Sequence, residues 1–223
     1  MRSFLPAVTA VQAGTTFRIK IMEDFKLIAV KCKSCDSGLT VEMNDSIVYC
    51  SSCGNGWEIV NDELVPMEVN FAAPLVKGDG ELVYKGFWLV DAFVKIHSRD
   101  SSGGWISNLF GGANKTEGDV KFYVPAFWMP IESAKNIGVN YTIKNAVPSP
   151  QKYNVKLTGF NFSKEDAKKI AEFLFLSIEA EKNDTIRNIN YDINVKSYQV
   201  LGVPFYKQPN GRLKDAVLGI EVA

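Results

Sequence analysis

The chain has 223 residues in which 25 lysines and arginines balance 25 acidic residues, so the clustered basic excess of a protein that lives on a phosphate backbone is not there. With 46% hydrophobic residues and no low-complexity tract, disorder and fibrous structure are excluded as well. At about 150 residues per domain, the length suits one medium domain with a small appendage.

Residues 1–24 read as an irregular arm that leads into a strand over Thr16 to Ile21. Ala7, Ala10 and Ala13 fall three apart rather than in the spacing of a signal-peptide cleavage site, and Pro6, Thr9 and Gln12 interrupt the apolar stretch. The arm is therefore expected to belong to the mature protein, and the chain to the cytoplasm. No run approaches the roughly 18–20 apolar residues of a membrane span.

The four cysteines fall as two pairs, Cys32-Lys33-Ser34-Cys35 and Cys50-Ser51-Ser52-Cys53, with 14 residues (36–49) between them. A C-x-x-C turn aims two thiolates at one point, and two such turns joined by a hairpin complete a tetrahedron around Zn2+. Gly54 follows the second pair, where positive φ often turns backbone N–H groups toward the sulfurs. Asp36 follows the first pair and takes that conformation less easily. Leu39, Val41 and Met43 alternate with polar positions, Asn44-Asp45 marks a turn, and Ile47 and Tyr49 resume the alternation. A further strand over 57–60 turns at Asn61-Asp62 into Leu64-Val65-Pro66.

On these residues the segment 25–68 resembles the zinc-ribbon family of general transcription factors, polymerase subunits and many bacterial proteins. The resemblance covers about a fifth of the chain and implies a metal ion on Cys32, Cys35, Cys50 and Cys53. Zinc ribbons serve many tasks, so it implies no substrate or partner. Three alternatives compete with Zn2+: two disulfides, a rubredoxin-like iron on the same four thiolates, and redox thiols, although neither pair opens a helix as a thioredoxin-type motif does. Residues 25–67 hold Lys26, Lys31 and Lys33 against Asp36, Glu42, Asp45, Glu58, Asp62 and Glu63, a net of −3, to which four thiolates on Zn2+ add −2. Phosphate is repelled by such a module, which favours a protein partner over nucleic acid.

Residues 69–223 read as an aromatic-rich, mainly antiparallel β domain. A long strand over 82–96 is entered through Gly78-Asp79-Gly80, with Gly86 marking a bulge or bend. A second run, Val120 to Met129, contains Pro125, a sign of an edge or a bend. Asn140–Lys144 and Tyr153–Phe160 read as further strands. Ser163 caps a helix over about 164–182, with Asp166 three residues on as a capping-box variant and Ile170, Phe173, Leu174 and Ile178 on one face. Ile189, Tyr191, Ile193 and Val195 then alternate strictly with polar residues, and Asn210-Gly211 is a strong hairpin turn before Leu213. The expected class is α+β: a four-cysteine ribbon plus an antiparallel β domain with one principal helix. The ribbon followed by an aromatic β body also resembles uncharacterised bacterial proteins.

Catalytic machinery is hard to find. His97 is the only histidine and reads as a polar strand-end residue, because its neighbours Ser98 and Asp100 cannot supply the convergent groups of a triad. Residues 112–116 lack the glycine and the helix of a phosphate loop, and Glu165 and Asp166 suit the first turn of a helix. One segment stands out. Within the glycine-hinged stretch 98–118, Trp105, Ile106, Leu109 and Phe110 share one face of a short helix, either tucked onto the sheet or exposed as an apolar finger for a partner or a membrane surface. The expected role is a non-catalytic, zinc-binding interaction or scaffold subunit, with Trp105, Ile106, Leu109 and Phe110 as its partner contact. A membrane-associated complex is one setting for it. A transcription-associated ribbon protein is the alternative, and an iron redox subunit the third. Oligomeric state is not written in the sequence.

Overall fold

A computed structural model of the chain describes residues 30–42, 44–99, 105–112, 115–145, 147, 151–180 and 188–222, without the side chains of 105 and 106. The expected arm and its strand over 16–21 lie outside these residues. The ribbon is an antiparallel sheet of β1 (Ile47–Tyr49), β2 (Gly56–Val60) and β3 (Glu63–Met67), in that order. Asn61 and Asp62 turn β2 into β3 at φ 49° and 65°, the left-handed pair that a two-residue hairpin requires and that Asn and Asp tolerate best. Leu39 and Val41 pack beneath this sheet without joining it.

The chain continues through β4 (Val69–Phe71), β5 (Glu81–Arg99), α1 (Trp105–Leu109), β6 (Glu117–Pro125), α2 (Ile131–Lys144), β7 (Leu157–Thr158), α3 (Lys164–Ala180), β8 (Ile189–Lys207), β9 (Leu213–Asp215) and β10 (Glu221–Val222). The spine is β5 against β8, two 19-residue strands paired antiparallel from Glu81↔Lys207 to Arg99↔Ile189. On its other edge β5 takes β6 antiparallel and β7 parallel. On its other edge β8 takes β4 parallel and β9 antiparallel, and β9 pairs with β10. The expected α+β class and its mainly antiparallel sheet are present, with α3 the longest helix.

Each face of this sheet has its own core. Trp88, Val90, Val94, Phe122 and Val124 meet Ala167, Ala171, Leu174, Phe175 and Ile178 of α3 on one face. Phe87, Leu89, Tyr123, Leu201 and Phe205 meet Ile137 and Tyr141 of α2 on the other. Burial of this kind gives roughly 1.5–3 kcal/mol per large side chain, which is why sheets covered on both faces read as near-continuous apolar runs.

Four sequence expectations need correction. Asn140–Lys144 is the end of α2, not a strand; the helix sits at the sheet margin and buries Ile137, Val139 and Tyr141 into both cores, so an apolar set wider than one helical stripe imitates alternation. Of Tyr153–Phe160 only two residues pair as a strand, and Gly159 at φ 81° turns the chain out of it. Gly86 carries no bulge, since the register slips lie at Asp91/Ala92 and Ile96/Ser98. Gly86 instead faces Gly202 across the strands, and a Cβ on either would come within 2.2 Å of the Phe160 ring or 2.3 Å of the Phe71 ring. Phe173 points outward on α3, whose buried stripe runs through Ala167, Ala171, Leu174, Phe175 and Ile178. The capping box is as expected: Ser163 N–H and Oγ–H donate to Asp166 Oδ2 at 3.1 and 2.9 Å, and Asp166 N–H donates to Ser163 Oγ at 3.2 Å.

Candidate metal centre

Each C-x-x-C pair folds into the same turn. Cys32 N–H donates to the Ser37 carbonyl at 2.9 Å and Asp36 N–H to the Cys32 carbonyl at 2.9 Å; Cys50 N–H donates to the Asn55 carbonyl at 2.9 Å and Gly54 N–H to the Cys50 carbonyl at 2.8 Å. The residue that closes each turn has positive φ, 59° at Asp36 and 76° at Gly54. Asp36 therefore occupies the conformation for which glycine is the easier choice, and its carboxylate lies 2.9 Å from Lys31 Nζ. The Lys31↔Gly38 bridge pins the first turn, and β1 leads straight into the second.

The two turns bring all four Sγ atoms within 4.8 Å of one another, with Cys32 to Cys53 and Cys35 to Cys50 each at 3.6 Å. Zn–S bonds of about 2.3 Å place the sulfurs of a tetrahedron about 3.8 Å apart, so the cluster fits one ion with little adjustment. All four cysteines are free rather than disulfide-bonded. Cys32 and Cys50 are buried, each 2% exposed, and share a small core with Val48 and Trp57.

Polar groups lie close to three of the sulfurs. Ser34 N–H donates to Cys32 Sγ and Asn55 Nδ2 to Cys53 Sγ, both at 3.4 Å, and Ser37 Oγ lies 3.3 Å from Cys35 Sγ. Trp57 Nε1 is buried with no hydrogen-bond partner among the described residues, and its indole packs in the same small core as Cys32. Burial works against ionising Cys32, but the N–H groups of Ser34 and Cys35, with help from Cys53 and Trp57, outweigh it and bring the thiol down to about 6. A buried indole N–H is poorly served by a neutral thiol and well served by a metal-bound thiolate. Four thiolates fill a tetrahedral ion, which leaves no position for water or substrate.

The expected partner-contact residues stand differently. Phe110 is 7% exposed and belongs to the core beneath α3, where its ring lies so close to Gly118 that a Cβ there would be 2.7 Å away. Leu109 packs against the same core. The finger is thus corrected for Leu109 and Phe110, whose side chains fold inward to complete the domain; the side chains of Trp105 and Ile106 lie outside the described residues. The glycine-rich stretch signals a sharp return of the chain equally well for a tucked or a projecting helix, so the pattern alone could not separate the two.

His97 is a surface residue near the end of β5, with Nε2 2.7 Å from Asp192 Oδ2 and no nucleophile in the pair. Among the described residues no second group of three or more His, Cys, Asp or Glu gathers at metal-binding distance, and no helix is long and apolar enough to cross a membrane. The ion pair between Arg99 and Glu179 at 3.2 Å, with Ser107 Oγ accepting from Arg99 at 3.0 Å, was invisible in the sequence because 80 residues separate the two charges. No protein-family model, no curated protein and no solved structure matches this chain.

Proposed function

We propose that the chain is a non-catalytic zinc protein in which one Zn2+ on Cys32, Cys35, Cys50 and Cys53 braces the ribbon, and whose surface binds a protein partner in a larger assembly. The observation that carries this reading is the closure of the site: four sulfurs within 4.8 Å of one another, from two turns of identical hydrogen bonding. Closed sets of this kind are structural, whereas catalytic zinc keeps an open position. Zinc is preferred to iron because two knuckles set against a three-stranded antiparallel sheet are the ribbon arrangement.

Support for a protein partner comes from the acidic ribbon and from Trp128 and Ile131, which are 73% and 63% exposed beside half-exposed Phe173. Metal analysis of the purified chain is expected to give one zinc per chain and no visible absorption band; iron with such a band, or no metal with two disulfides, overturns the zinc assignment. A photo-crosslinking residue at position 128 in living cells is expected to capture a protein, while exclusive capture of lipid or nucleic acid overturns the assembly reading.

A further inference from the structure

The register of the sheet places three lysines on one face at the end where β5 begins and β8 finishes. Lys85 pairs with Thr158 of β7, Lys207 pairs with Glu81 four residues before Lys85, and Lys156 stands two residues before Thr158, so that the pleat returns all of them to one side. They line a single cleft of about 670 Å3 together with the one acidic residue Glu81, and its apolar wall includes Val83 and Leu213. A volume of this order suits a small molecule rather than a chain segment.

Lys85 is the unusual member. Its side chain is half-buried, its ammonium donates to Thr158 Oγ1 at 3.1 Å and lies 5.6 Å from the centre of the Phe127 ring. None of the ion pairs among the described residues uses Lys85, Lys156 or Lys207. Burial pushes the Lys85 ammonium below its usual range; of the charges around it the Glu42 carboxylate acts most strongly, against that shift, while Lys207 and Lys156 push the same way as burial and Asp45 opposes them weakly. A half-buried cation that makes no direct ion pair is costly, and two further cations around it add to that cost, which Glu42 and Asp45 offset in part. An anion in the cleft relieves all three at once.

We infer that this cleft binds the phosphate group of a small phosphorylated molecule, with Lys85 as its innermost ligand, Lys156 and Lys207 closing over it, and Val83 and Leu213 against the rest of the molecule. Lysines act there as point charges, each with three donors, and Thr158 holds the Lys85 ammonium in place. The cleft is separate from the metal centre and owes nothing to the partner surface.

The test is calorimetric titration of the zinc-loaded full chain with inorganic phosphate and with glycerol 3-phosphate. Zinc content is measured on every sample, so a lost metal site is not mistaken for a lost cleft. Saturable binding is expected, the ester tighter than phosphate, with a tenfold or greater loss in Lys85→Gln and a smaller loss in Lys207→Gln. Lys156→Gln and Lys207→Gln sit at the cleft rim and read the same site if Lys85→Gln does not fold. No saturable response in the unaltered protein, or equal binding by all three variants, overturns the proposal. So does binding confined to vesicles containing phosphatidic acid, which would make the lysines a lipid-surface contact.

Discussion

Lys164 Nζ lies 2.6 Å from Glu58 Oε2, an ion pair between the first residue of α3 and the middle strand of the ribbon. Both charges are partly withdrawn from water, with the carboxylate side chain 15% exposed. Around the pair, Ser46 Oγ lies 3.1 Å from the carbonyls of Phe160 and Phe162, and the Tyr49 hydroxyl donates to the Tyr153 carbonyl at 2.5 Å. Ile47 and Tyr49 enter the same core as Trp88. Ribbon and body are fastened through side chains, backbone and core together.

Metal removal should therefore be felt beyond the ribbon. Small metal modules draw folding energy from their ion, and release of this one frees Ile47 and Tyr49 from the shared core, at about 1.5–3 kcal/mol each. For a chain of this size a loss of about 3 kcal/mol lowers the melting temperature by roughly 6–12 °C. The expected result of chelation, and of Cys50→Ser, is faster amide exchange in β1, β2 and β3 and also around residues 160–164. An unchanged melting temperature of the body would show that the fastenings contribute little.

The paired glycines at the centre of the spine give a second test. Gly86→Ala should destabilise by about 1–3 kcal/mol or more, because its new methyl group meets the Phe160 ring at 2.2 Å in a packed core. Combining it with Phe160→Leu should recover part of the loss in a urea titration. Equal stability of Gly86→Ala and the unaltered chain would mean that the ring yields freely.

How much of this was readable beforehand follows the range over which each signal acts. The cysteine pairs, the Asn61-Asp62 turn, the Ser163 capping box and the alternation over 189–195 are local chemistry, and each stands where its residues suggest. Gly86 looked like a bulge because the sequence cannot show that Gly202 stands opposite and that two aromatic rings need the space. Tyr141 looked like part of a strand because its partner, the buried carboxylate of Asp215, is 74 residues away. The four-cysteine cluster was found from its spacing; the Trp57 indole in the same small core as Cys32 was not, since a strand tryptophan gives no sign of what it packs against.

Acid should expose the capping box. Hydrogen bonds from the Ser163 hydroxyl and N–H hold the Asp166 carboxyl below its ordinary range. A carboxyl whose folded value is depressed stabilises above its unfolded value, near 3.9, and that contribution fades as pH falls through the folded value. Asp166→Asn should cost about 0.5–1 kcal/mol at pH 7, a modest figure for a largely solvated group, and the gap should close as pH falls through the depressed folded value. A gap independent of pH would point to shape, not charge, at this cap.

The Arg99–Glu179 pair is buried, with side chains 12% and 2% exposed, and it ties the end of β5 to the last turn of α3. Arg99→Met takes a charge partner from the buried Glu179 carboxylate, so it should cost up to about 3–5 kcal/mol. Replacing both, as Arg99→Met with Glu179→Leu, should recover much of that in thermal unfolding. Additive losses in the double variant would show that the two residues act independently.

The final expectation separates core from surface among the aromatic residues. Phe110 is 7% exposed beneath α3, and Phe→Ala in a core typically costs about 3–5 kcal/mol through lost burial and the cavity left behind. Trp128 is 73% exposed and touches Phe162 edge-on, with ring centres 5.2 Å apart. An exposed ring contributes little to folding, so Trp128→Ala should stay within about 0.5–1 kcal/mol of the unaltered chain. Circular dichroism melting of the two variants is thus expected to show a large drop for Phe110→Ala and almost none for Trp128→Ala. The reverse order would return Phe110 to the surface and place Trp128 in the fold.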